Sequence, residues 1–296
     1  MSKLFQGIIP PMITPFDEQG DLSEGRLRSL VDRLVESGVD GLFPCGSIGE
    51  FSNMSTGEIE RATKIVVNQT AGRVPVLMGT GASGTGEALA LTEKAAELGV
   101  DGVIVVTPFY MPYDQKSIQI HFQKVAESTD LPVLVYHIPQ FTGQELAVET
   151  ICKLEEEQEN IVGLKDSSGD LAQAGEIISK TSPEFMYFQG LDSLLLSSLV
   201  LGADGGVNGT ANVEPSFVLE VFNRFVEGDL NSAMEAQTGK VNKLVEVCSV
   251  GPFPEGFKSA ARLCGIDLGV SRAPVYSLSE EQISLQKQQL QDLNLI

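Results

Sequence analysis

A short pattern that recurs three times constrains the fold of this chain more than any other feature. It consists of a glycine, an apolar residue and Asp-Gly, and its copies lie within residues 37–42, 98–103 and 201–206. Each copy follows an amphipathic stretch. A glycine there suits the left-handed position that ends a helix, and the residues after Asp-Gly have the character of a short buried strand. Repeated helix-to-strand junctions predict a parallel sheet.

Apolar runs of strand length alternate with segments of helical period along most of the chain. The predicted strands are Gly7–Ile13, Gly41–Cys45, Val74–Gly79, Val103–Thr107, Val133–Ile138, Ile161–Leu164, Phe185–Gln189 and Gly205–Val207. The predicted helices are Ser23–Ser37, Thr56–Thr70, Thr85–Leu98, Gln115–Ser128, Ala147–Glu157, Leu171–Lys180, Leu191–Leu201 and Val213–Val226. Strict alternation with eight repeats favours an α/β fold of the (β/α)8 TIM-barrel type. A doubly wound open sheet is the alternative, because periodicity does not distinguish a closed sheet from an open one.

The alternation stops near residue 228. The segments that follow have helical character throughout, at Leu230–Val247, Gly256–Cys264 and Ser279–Leu293. We therefore expect a barrel over residues 1–228 and a C-terminal helical extension of the same unit over residues 229–296.

Charge and cysteine content exclude several classes of function. The formal charge of −20 disfavours nucleic acid and anionic lipid as partners, since the whole-protein field repels polyanions. The four cysteines are widely spaced without a CxxC pair, so neither a zinc site nor a disulfide framework is expected. No apolar run reaches the roughly 18 residues of a membrane span, and the N-terminus lacks the apolar region of a secretory signal. We expect a cytoplasmic protein with a solvated acidic surface.

Lys165 is the lysine that directly follows a predicted strand, Ile161–Leu164. Reacting groups in parallel α/β folds lie at the carboxyl ends of strands. Partial desolvation there lowers the pKa of a lysine and supplies the neutral amine that forms a Schiff base. Tyr136 ends the preceding strand and is expected beside Lys165, where a phenol can move protons. From the residues alone, two alternatives stay open: a lysine that pairs with Asp166 or binds phosphate, and a tyrosine that only fills the core.

Two glycine-containing segments follow other predicted strands. The glycines of Gly46–Glu50 let backbone amides approach a carboxylate or phosphate, with a simple tight loop as the alternative. Gly79–Gly84 matches the GxGxxG pattern of dinucleotide-binding oxidoreductases, and Asp101 stands where that pattern needs an acidic residue for the ribose. However, the match follows the third strand instead of the first, and Asp101 is already explained by the repeated glycine–aspartate pattern. This is the weakest alternative. His121 and His137 form no metal-binding spacing, so no metal is expected. No cofactor is expected either.

Three motifs, in order along the chain, resemble those of a known family. Its G-[ST]-x-G-E motif is similar to Gly46–Glu50, its Y-x-x-P-x-x-[ST]-G motif to Tyr136–Gly143, and its K-D-[ST] segment to residues 165–167. Over essentially its full length, the chain resembles the dihydrodipicolinate synthase / N-acetylneuraminate lyase family of class I aldolases. The resemblance implies a TIM barrel, a pyruvate-dependent carbon–carbon lyase without a cofactor, and a homotetramer built as a dimer of dimers.

The resemblance also implies roles for individual residues. Lys165 forms an imine with pyruvate, and Tyr136 and Ser47 relay protons. Tyr110 completes this relay from a neighbouring subunit. The amides of Ser47 and Ile48 bind the pyruvate carboxylate, and the backbone carbonyl of Val207 lies close to the bound pyruvate. The remaining residues expected to contact substrate are Gly46, Phe141, Ser167, Gly190, Asp192 and Asn208.

Two departures from the family bear on the substrate. Phe141 stands where synthases acting on aspartate semialdehyde carry an arginine, and a phenyl ring cannot pair with a second carboxylate. Ile48 stands where many relatives have a hydroxyl residue. Similarity to members that cleave 2-keto-3-deoxy sugar acids makes such an acid the expected substrate, whose aldehyde half would contact Ser167, Asp192 and Asn208. The alternatives are a 4-hydroxy-tetrahydrodipicolinate (dihydrodipicolinate) synthase, an N-acetylneuraminate lyase, a sugar-acid dehydratase and a non-catalytic barrel that binds keto acids.

Overall fold

Parallel strands form one curled sheet in the computed structural model, which describes residues 3–296. The strands are β1 Gly7–Ile8, β2 Leu77–Gly79, β3 Gly102–Val106, β4 Val133–His137, β5 Ile161–Asp166, β6 Met186–Gln189 and β7 Gly205–Gly206. Their order across the sheet is β1-β7-β6-β5-β4-β3-β2, and every neighbouring pair is parallel. The predicted parallel α/β architecture is confirmed.

The predicted strand Gly41–Cys45 is not a regular strand, and that prediction was wrong in form. The segment instead joins the two edges of the sheet through isolated parallel bridges. Phe43 pairs with Pro11, next to β1, and Leu42 pairs with Val76, next to β2. Backbone hydrogen bonds accompany both bridges. The first and last strands in the sheet order are therefore linked through this segment.

Prolines explain why the strands on this side are shorter than predicted. Proline has no backbone N–H, so it cannot donate to a ladder. Strand β1 ends before Pro10, and β2 begins after Pro75. Pro44 lies inside the bridging segment, and the next residue, Cys45, has a positive φ of 61°. The longest ladders consequently lie on the opposite side of the sheet, in β3, β4 and β5.

Helices cover the outside of the sheet and continue after its last strand. They are α1 Glu24–Glu36, α2 Thr56–Thr70, α3 Thr85–Leu98, α4 Gln115–Glu127, α5 Pro139–Thr142, α6 Val148–Glu157, α7 Leu171–Lys180, α8 Leu195–Leu201, α9 Pro215–Val226, α10 Leu230–Ala236, α11 Asn242–Cys248, α12 Glu255–Leu263 and α13 Glu280–Asp292. The bounds of α2, α3 and α7 match the predicted ones to the residue. Ser55, Asp114 and Asp170 cap α2, α4 and α7 by accepting hydrogen bonds from first-turn amides.

Two predicted helices are interrupted. The prediction Leu191–Leu201 begins as a 3-10 turn at Asp192–Leu194 before α8 starts. The prediction Leu230–Val247 consists of α10, a π-helical segment at Gln237–Val241, and α11. Gln237 in that segment donates to the Asp192 carbonyl at 3.0 Å and accepts from the Leu196 amide at 3.0 Å. The π turn therefore connects the C-terminal helices to the loop after β6.

The repeated glycine–aspartate pattern has a structural role at all three of its positions. Gly38, Gly99 and Gly202 have φ values of 86°, 71° and 111°, which suit glycine at the end of a helix. The aspartate of each copy accepts a hydrogen bond from a backbone amide near the start of the adjacent strand, in the pairs Asp40–Ile8 at 2.7 Å, Asp101–Val76 at 2.8 Å and Asp204–Tyr187 at 2.9 Å. The pattern therefore ends a helix and attaches the next strand to its neighbour.

The apolar interior consists of two clusters on opposite faces of the sheet. The inner cluster, inside the curl, includes Phe43, Ile104, Leu134, Tyr136, Phe188 and Val207. The larger outer cluster packs the sheet against the helices. This division follows from the alternation of side chains along each strand. It assigns each residue near the end of a strand either to the inner space or to the helix layer.

Helices α10–α13 follow the last strand, where the sequence predicts a helical extension. Helix α12 packs against the 3-10 turn at residues 209–212, beyond β7. Within residues 3–296, no helix combines the length and the apolar character that crossing a bilayer requires.

Candidate active site

Lys165 and Tyr136 lie side by side on neighbouring strands. They are register partners in β5 and β4. Lys165 Nζ lies 3.8 Å from the centre of the Tyr136 ring and 4.9 Å from the centre of the Phe43 ring. Lys165 is 3% exposed and Tyr136 is 4% exposed. Strand β5 extends to Asp166, so Lys165 lies within the strand and not directly after it as predicted.

The surroundings of Lys165 favour its neutral form. Burial lowers the pKa of Lys165, while the neighbouring phenol of Tyr136 acts in the opposite direction. The carboxylate of Asp166, the next residue, accepts hydrogen bonds from His137 and Tyr187 instead of forming an ion pair with Lys165. The alternative of a Lys165–Asp166 pair is therefore not what the structure contains. A buried amine with a lowered pKa is a nucleophile suited to carbonyl carbon.

Asp166 connects three strands on the outer face of the sheet, behind Lys165. It accepts hydrogen bonds from His137 Nδ1 at 3.1 Å in β4 and from the Tyr187 hydroxyl at 2.6 Å in β6. The Leu146 amide donates to His137 Nε2, so Nδ1 carries the hydrogen. Burial works to raise the pKa of Asp166, but the hydrogen bonds from His137 and Tyr187 outweigh it and keep the pKa low. His137 therefore faces away from Lys165.

The Gly46–Glu50 loop presents unpaired backbone amides. Residues Ser47–Gly49 form a 3-10 turn. Within the described part of the chain, the amides of Ser47 and Ile48 donate to no protein acceptor. A Cβ on Gly49 would lie 2.8 Å from the Met12 carbonyl oxygen, so only glycine fits where the loop passes the first strand. Two free amides at the start of a helical turn are a suitable site for a carboxylate.

A cavity of about 250 Å³ opens above Lys165. Most of the predicted site residues line it, namely Ser47, Ile48, Tyr136, Phe141, Lys165, Ser167, Gly190, Asp192 and Val207. A Cβ on Gly190 would lie 2.0 Å from Ser167 Oγ and 3.2 Å from Lys165 Cε, so glycine leaves room for both side chains. A second cavity of about 280 Å³ shares Ser47, Ile138, Phe141 and Phe253 with the first. The two cavities are therefore adjacent, with these residues between them.

Aromatic rings form the outer wall of this space. Phe141 and Phe253 have ring centres 5.3 Å apart, and Phe253 and Phe257 have ring centres 6.0 Å apart. Among the residues that line the two cavities in the described chain, Lys165 is the one cationic side chain. A second carboxylate on the substrate would therefore have to bind amide or hydroxyl donors in place of a guanidinium.

Three predicted substrate-contacting or catalytic residues do not line the cavity. Gly46 lies below it, in a small space beside Phe43. Tyr110 is 90% exposed, with a positive φ of 79°. Asn208 lies on the outer face, because it alternates with the inward Val207. A Cβ on Gly206 would lie 2.0 Å from Asn208 Oδ1. The expected substrate contact of Asn208 is therefore not present.

Asp192 lines the cavity, but other groups already occupy its carboxylate. Its oxygens accept hydrogen bonds from the Gly209 amide at 3.1 Å, the Thr210 amide at 2.8 Å and the Thr210 hydroxyl. Burial raises the pKa of Asp192, and these hydrogen bonds oppose that rise. Asp192 therefore connects the loops after β6 and β7, and these bonds use most of the acceptor capacity that its expected role with substrate hydroxyls would need.

Two of the three glycines of the GxGxxG match have a packing explanation. A Cβ on Gly79 would lie 2.2 Å from the Cys45 carbonyl oxygen, and one on Gly81 would lie 2.4 Å from Val106 Cγ1. Both glycines allow strand β2 to approach its neighbours closely. Close strand packing accounts for this part of the motif without a dinucleotide.

A buried ion pair that the sequence did not predict lies next to the site. Lys258 Nζ lies 2.7 Å from Glu50 Oε1, and both side chains are buried. Glu50 belongs to the loop motif, but nothing nearby in the chain identifies its partner. The available signal was a lysine within Gly256–Cys264, a predicted helix rich in small and apolar residues. Such a lysine is either exposed or paired.

A family comparison agrees with this geometry. A model described as the dihydrodipicolinate synthetase family matches residues 4–293. This chain belongs to that family. The match spans the Gly46–Glu50 loop, Tyr136 and Lys165.

Individual members of the dihydrodipicolinate synthetase family are similar along nearly the whole chain. An uncharacterized DapA-like lyase of Halobacterium salinarum is 38% identical over 290 residues, covering 98% of this chain and 94% of the relative. A 4-hydroxy-tetrahydrodipicolinate synthase of Methanothrix thermoacetophila is 38% identical over 279 residues, covering 94% and 93%. The crystal structure of dihydrodipicolinate synthase from Aquifex aeolicus superposes with a TM-score of 0.95 at 35% identity, covering 98% of this chain and 99% of that one.

Membership of the dihydrodipicolinate synthetase family confirms the predicted family and enzyme class. The chain is a carbon–carbon lyase, a pyruvate-dependent class I aldolase. The expected preference for a 2-keto-3-deoxy sugar acid is not supported. The two relatives above whose names specify a reaction, from Methanothrix thermoacetophila and Aquifex aeolicus, are both named as dihydrodipicolinate-type synthases. The dihydrodipicolinate synthase alternative fits these relatives better.

Proposed function

We propose that this enzyme condenses pyruvate with aspartate semialdehyde through an imine on Lys165. The observation that carries the proposal is the buried Lys165 amine beside the Tyr136 phenol, at the base of a cavity that also contains free amides. Together they supply a nucleophile, a proton carrier and a carboxylate-binding site. Synthase relatives supply the identity of the acceptor.

The proposed reaction begins with attack of the neutral Lys165 amine on the keto carbon of pyruvate. Water leaves, and the protonated imine withdraws electrons from the adjacent methyl group, which loses a proton and becomes the enamine carbon. That carbon bonds to the aldehyde carbon of the acceptor. The aldehyde oxygen takes up a proton, and water then releases the product and restores the amine. Tyr136, Ser47 and Tyr110 are the proposed proton relay.

The pyruvate carboxylate has a proposed binding site at the amides of Ser47 and Ile48. These amides are free and adjoin the Lys165 cavity. Charge-assisted hydrogen bonds from two amides would fix the keto carbon near the amine. The carbonyl of Val207 and the Cα hydrogens of Gly190 would border the other side of pyruvate.

The acceptor has a proposed binding site between Ser167 and Phe141. Ser167 Oγ and Lys165 Cε both lie close to the position that a Cβ on Gly190 would occupy, at 2.0 Å and 3.2 Å from it. Because Phe141 cannot pair with the acceptor carboxylate, hydroxyl and amide donors along the cavity would bind it in place of an arginine. We therefore expect weaker acceptor binding than a guanidinium would give.

We also propose that the curled sheet and its bridged edges form a closed (β/α)8 barrel over residues 1–228, with residues 229–296 as a helical extension. The TM-score of 0.95 to a dihydrodipicolinate synthase supports this assignment. A homotetramer built as a dimer of dimers is part of the proposal. Its support is Tyr110, whose exposed side chain belongs to the proposed proton relay but lies outside the cavity of its own chain.

Trapping the imine tests the proposed function. Borohydride added with pyruvate should attach a pyruvate-derived group irreversibly to Lys165, as located by peptide mass spectrometry. Lys165→Ala should show no adduct and no turnover. Lys240→Ala, which removes a half-buried lysine paired with Glu220 and absent from the cavity lining, should behave like the native enzyme. Absence of the adduct on native protein would overturn the mechanism.

A substrate panel tests the acceptor. Pyruvate and aspartate semialdehyde together should be consumed by the native enzyme, with the product identified by mass. The panel should include 2-keto-3-deoxy sugar acids and N-acetylneuraminate, assayed for release of pyruvate. Cleavage of one of these acids without any condensation of aspartate semialdehyde would overturn the acceptor assignment while leaving the imine mechanism intact.

A further inference from the structure

The buried ion pair between Glu50 and Lys258 lies directly beneath the Gly46–Glu50 loop. Lys258 Nζ donates to Glu50 Oε1 at 2.7 Å, to the Thr14 carbonyl at 3.0 Å and to the Val270 carbonyl at 2.6 Å. Glu50 Oε2 accepts a hydrogen bond from the Arg272 amide at 3.0 Å. All the hydrogen-bonding capacity of this lysine and both oxygens of this carboxylate are thus used within the protein.

The backbone on both sides of the loop adopts a conformation that non-glycine residues seldom occupy. Cys45 has a φ of 61° and Glu50 has a φ of 58°, both in the left-handed region. Such residues persist where the surrounding structure holds them in place. For Glu50, backbone hydrogen bonds to Ser47 and Asn53 act together with a side chain that is hydrogen-bonded at both oxygens. The free amides of Ser47 and Ile48 lie between these two residues.

The partners of Glu50 all come from the C-terminal part of the chain. Lys258 is on α12, and Arg272 lies between α12 and α13. The Arg272 guanidinium also binds Glu58 at the start of α2, which follows the loop. Lys258 and Arg272, which lie outside the sheet, therefore restrain both Glu50 at the end of the loop and the start of the helix that follows it.

We propose that the Glu50–Lys258 ion pair positions the Ser47 and Ile48 amides for the carboxylate of pyruvate, which makes Glu50 and Lys258 positioning residues. The inference rests on the proposed imine chemistry at Lys165. Loss of the pair lets Glu50 leave its left-handed conformation, and the two amides then no longer converge on one point. The Lys165 amine itself, held on β5, keeps its environment.

Imine trapping at graded pyruvate concentrations separates these two effects. In Lys258→Met, the pyruvate concentration that gives half-maximal adduct at Lys165 should rise about tenfold or more, equivalent to about 1.4 kcal/mol of binding. The maximal extent of labelling should be retained. Glu50→Gln still accepts a hydrogen bond from Lys258, so its increase should be smaller. It is also the variant to use where Lys258→Met fails to fold.

Acetone provides a probe that lacks the carboxylate. It presents a ketone to Lys165 but has no group for the Ser47 and Ile48 amides. Reductive labelling of Lys165 by acetone should therefore proceed at the native rate in Lys258→Met and in Glu50→Gln. Leu91→Ala is the matched control for general destabilisation, because it leaves a cavity in α3 away from the loop. It should alter neither pyruvate nor acetone labelling.

The outcomes distinguish failure of the positioning role from failure of the proposed function. An unchanged half-maximal pyruvate concentration in both ion-pair variants would overturn the positioning role and leave the Lys165 mechanism standing. An equal loss of pyruvate and acetone labelling would also overturn it, because the whole site would then have been disturbed. Failure of native protein to form any pyruvate adduct would refute the proposed function itself.

Discussion

At the residue scale, the environment of Lys165 sets the pH dependence of imine formation. Its pKa is lowered by burial and lies below the usual lysine value of about 10.4. Only the neutral amine attacks pyruvate, so the rate of adduct formation should rise with pH and level off below about pH 10.4. Tyr136→Phe removes the phenol that opposes this shift, and its plateau should begin at lower pH still. Rapid-quench trapping across pH measures both.

A rate that keeps rising past the usual lysine value would contradict this prediction. So would a Tyr136→Phe plateau at higher pH than the native one. Either result would mean that the amine is solvated to a degree that its burial does not allow.

Phe141 determines how the acceptor carboxylate is bound. Its ring is 55% exposed and packs on Phe253, so an arginine side chain fits there without disturbing the core. Phe141→Arg should raise kcat/KM for aspartate semialdehyde about tenfold, because a guanidinium–carboxylate bond replaces weaker donors. Half-saturation by pyruvate should stay unchanged. Phe141→Leu is the control, because leucine is apolar like phenylalanine and lacks the charge of arginine. An equal gain in both variants would refute the explanation.

Much of the site was predictable from the sequence, because residues of reactive type stand at the carboxyl ends of apolar strands, where active sites of parallel α/β folds lie. Lys165, Tyr136 and the Gly46–Glu50 loop could be identified in this way. Asn208 could not be placed correctly, because the strand before it is only two residues long and the face it occupies depends on register. Lys258 could not be connected to Glu50, because no local pattern encodes a pairing across 208 residues.

At the scale of elements, the Asp166 network fixes the strands that carry the reacting pair. Tyr187 on β6 and His137 on β4 both donate to Asp166 on β5. Tyr187→Phe removes one bond to a buried carboxylate and should lower the free energy of unfolding by about 1 to 3 kcal/mol. Tyr276→Phe is the matched control at an exposed tyrosine, and its free energy of unfolding should be nearly unchanged. Denaturant titration compares them.

The same variant should reduce kcat, since looser strands misplace Lys165 relative to Tyr136. A stability loss in Tyr187→Phe no larger than that in Tyr276→Phe would show that Asp166 does not depend on this hydroxyl.

The bounds of helices were more predictable from the sequence than the bounds of strands. Helices α2, α3 and α7 were predicted to the residue, because their apolar residues recur with a clear helical period. Strands interrupted by Pro10, Pro44 and Pro75 were predicted too long.

At the scale of the whole molecule, the charge of −20 opposes compaction. Raising the salt concentration from 0.1 M to 1 M shortens the screening length from about 10 Å to about 3 Å and should weaken this repulsion. We expect Tm to rise by roughly 2 °C or more. The double variant Glu87→Lys/Glu93→Lys, at two exposed positions on α3, should show a smaller salt dependence. Equal salt dependence in both proteins would rule out charge repulsion as the cause.

The distance along the chain between Glu50 and Lys258 has a consequence for synthesis on the ribosome. All the proposed reacting groups have been made once β7 emerges, yet the counter-charge of Glu50 arrives only with α12, 208 residues after it. Until then, the carboxylate has to stay in water, because an unpaired charge is costly to bury. A nascent or truncated polypeptide lacking α12 would therefore contain Lys165 but not the ion pair that positions the carboxylate-binding amides. Competence to bind keto acid would be acquired among the last steps of maturation.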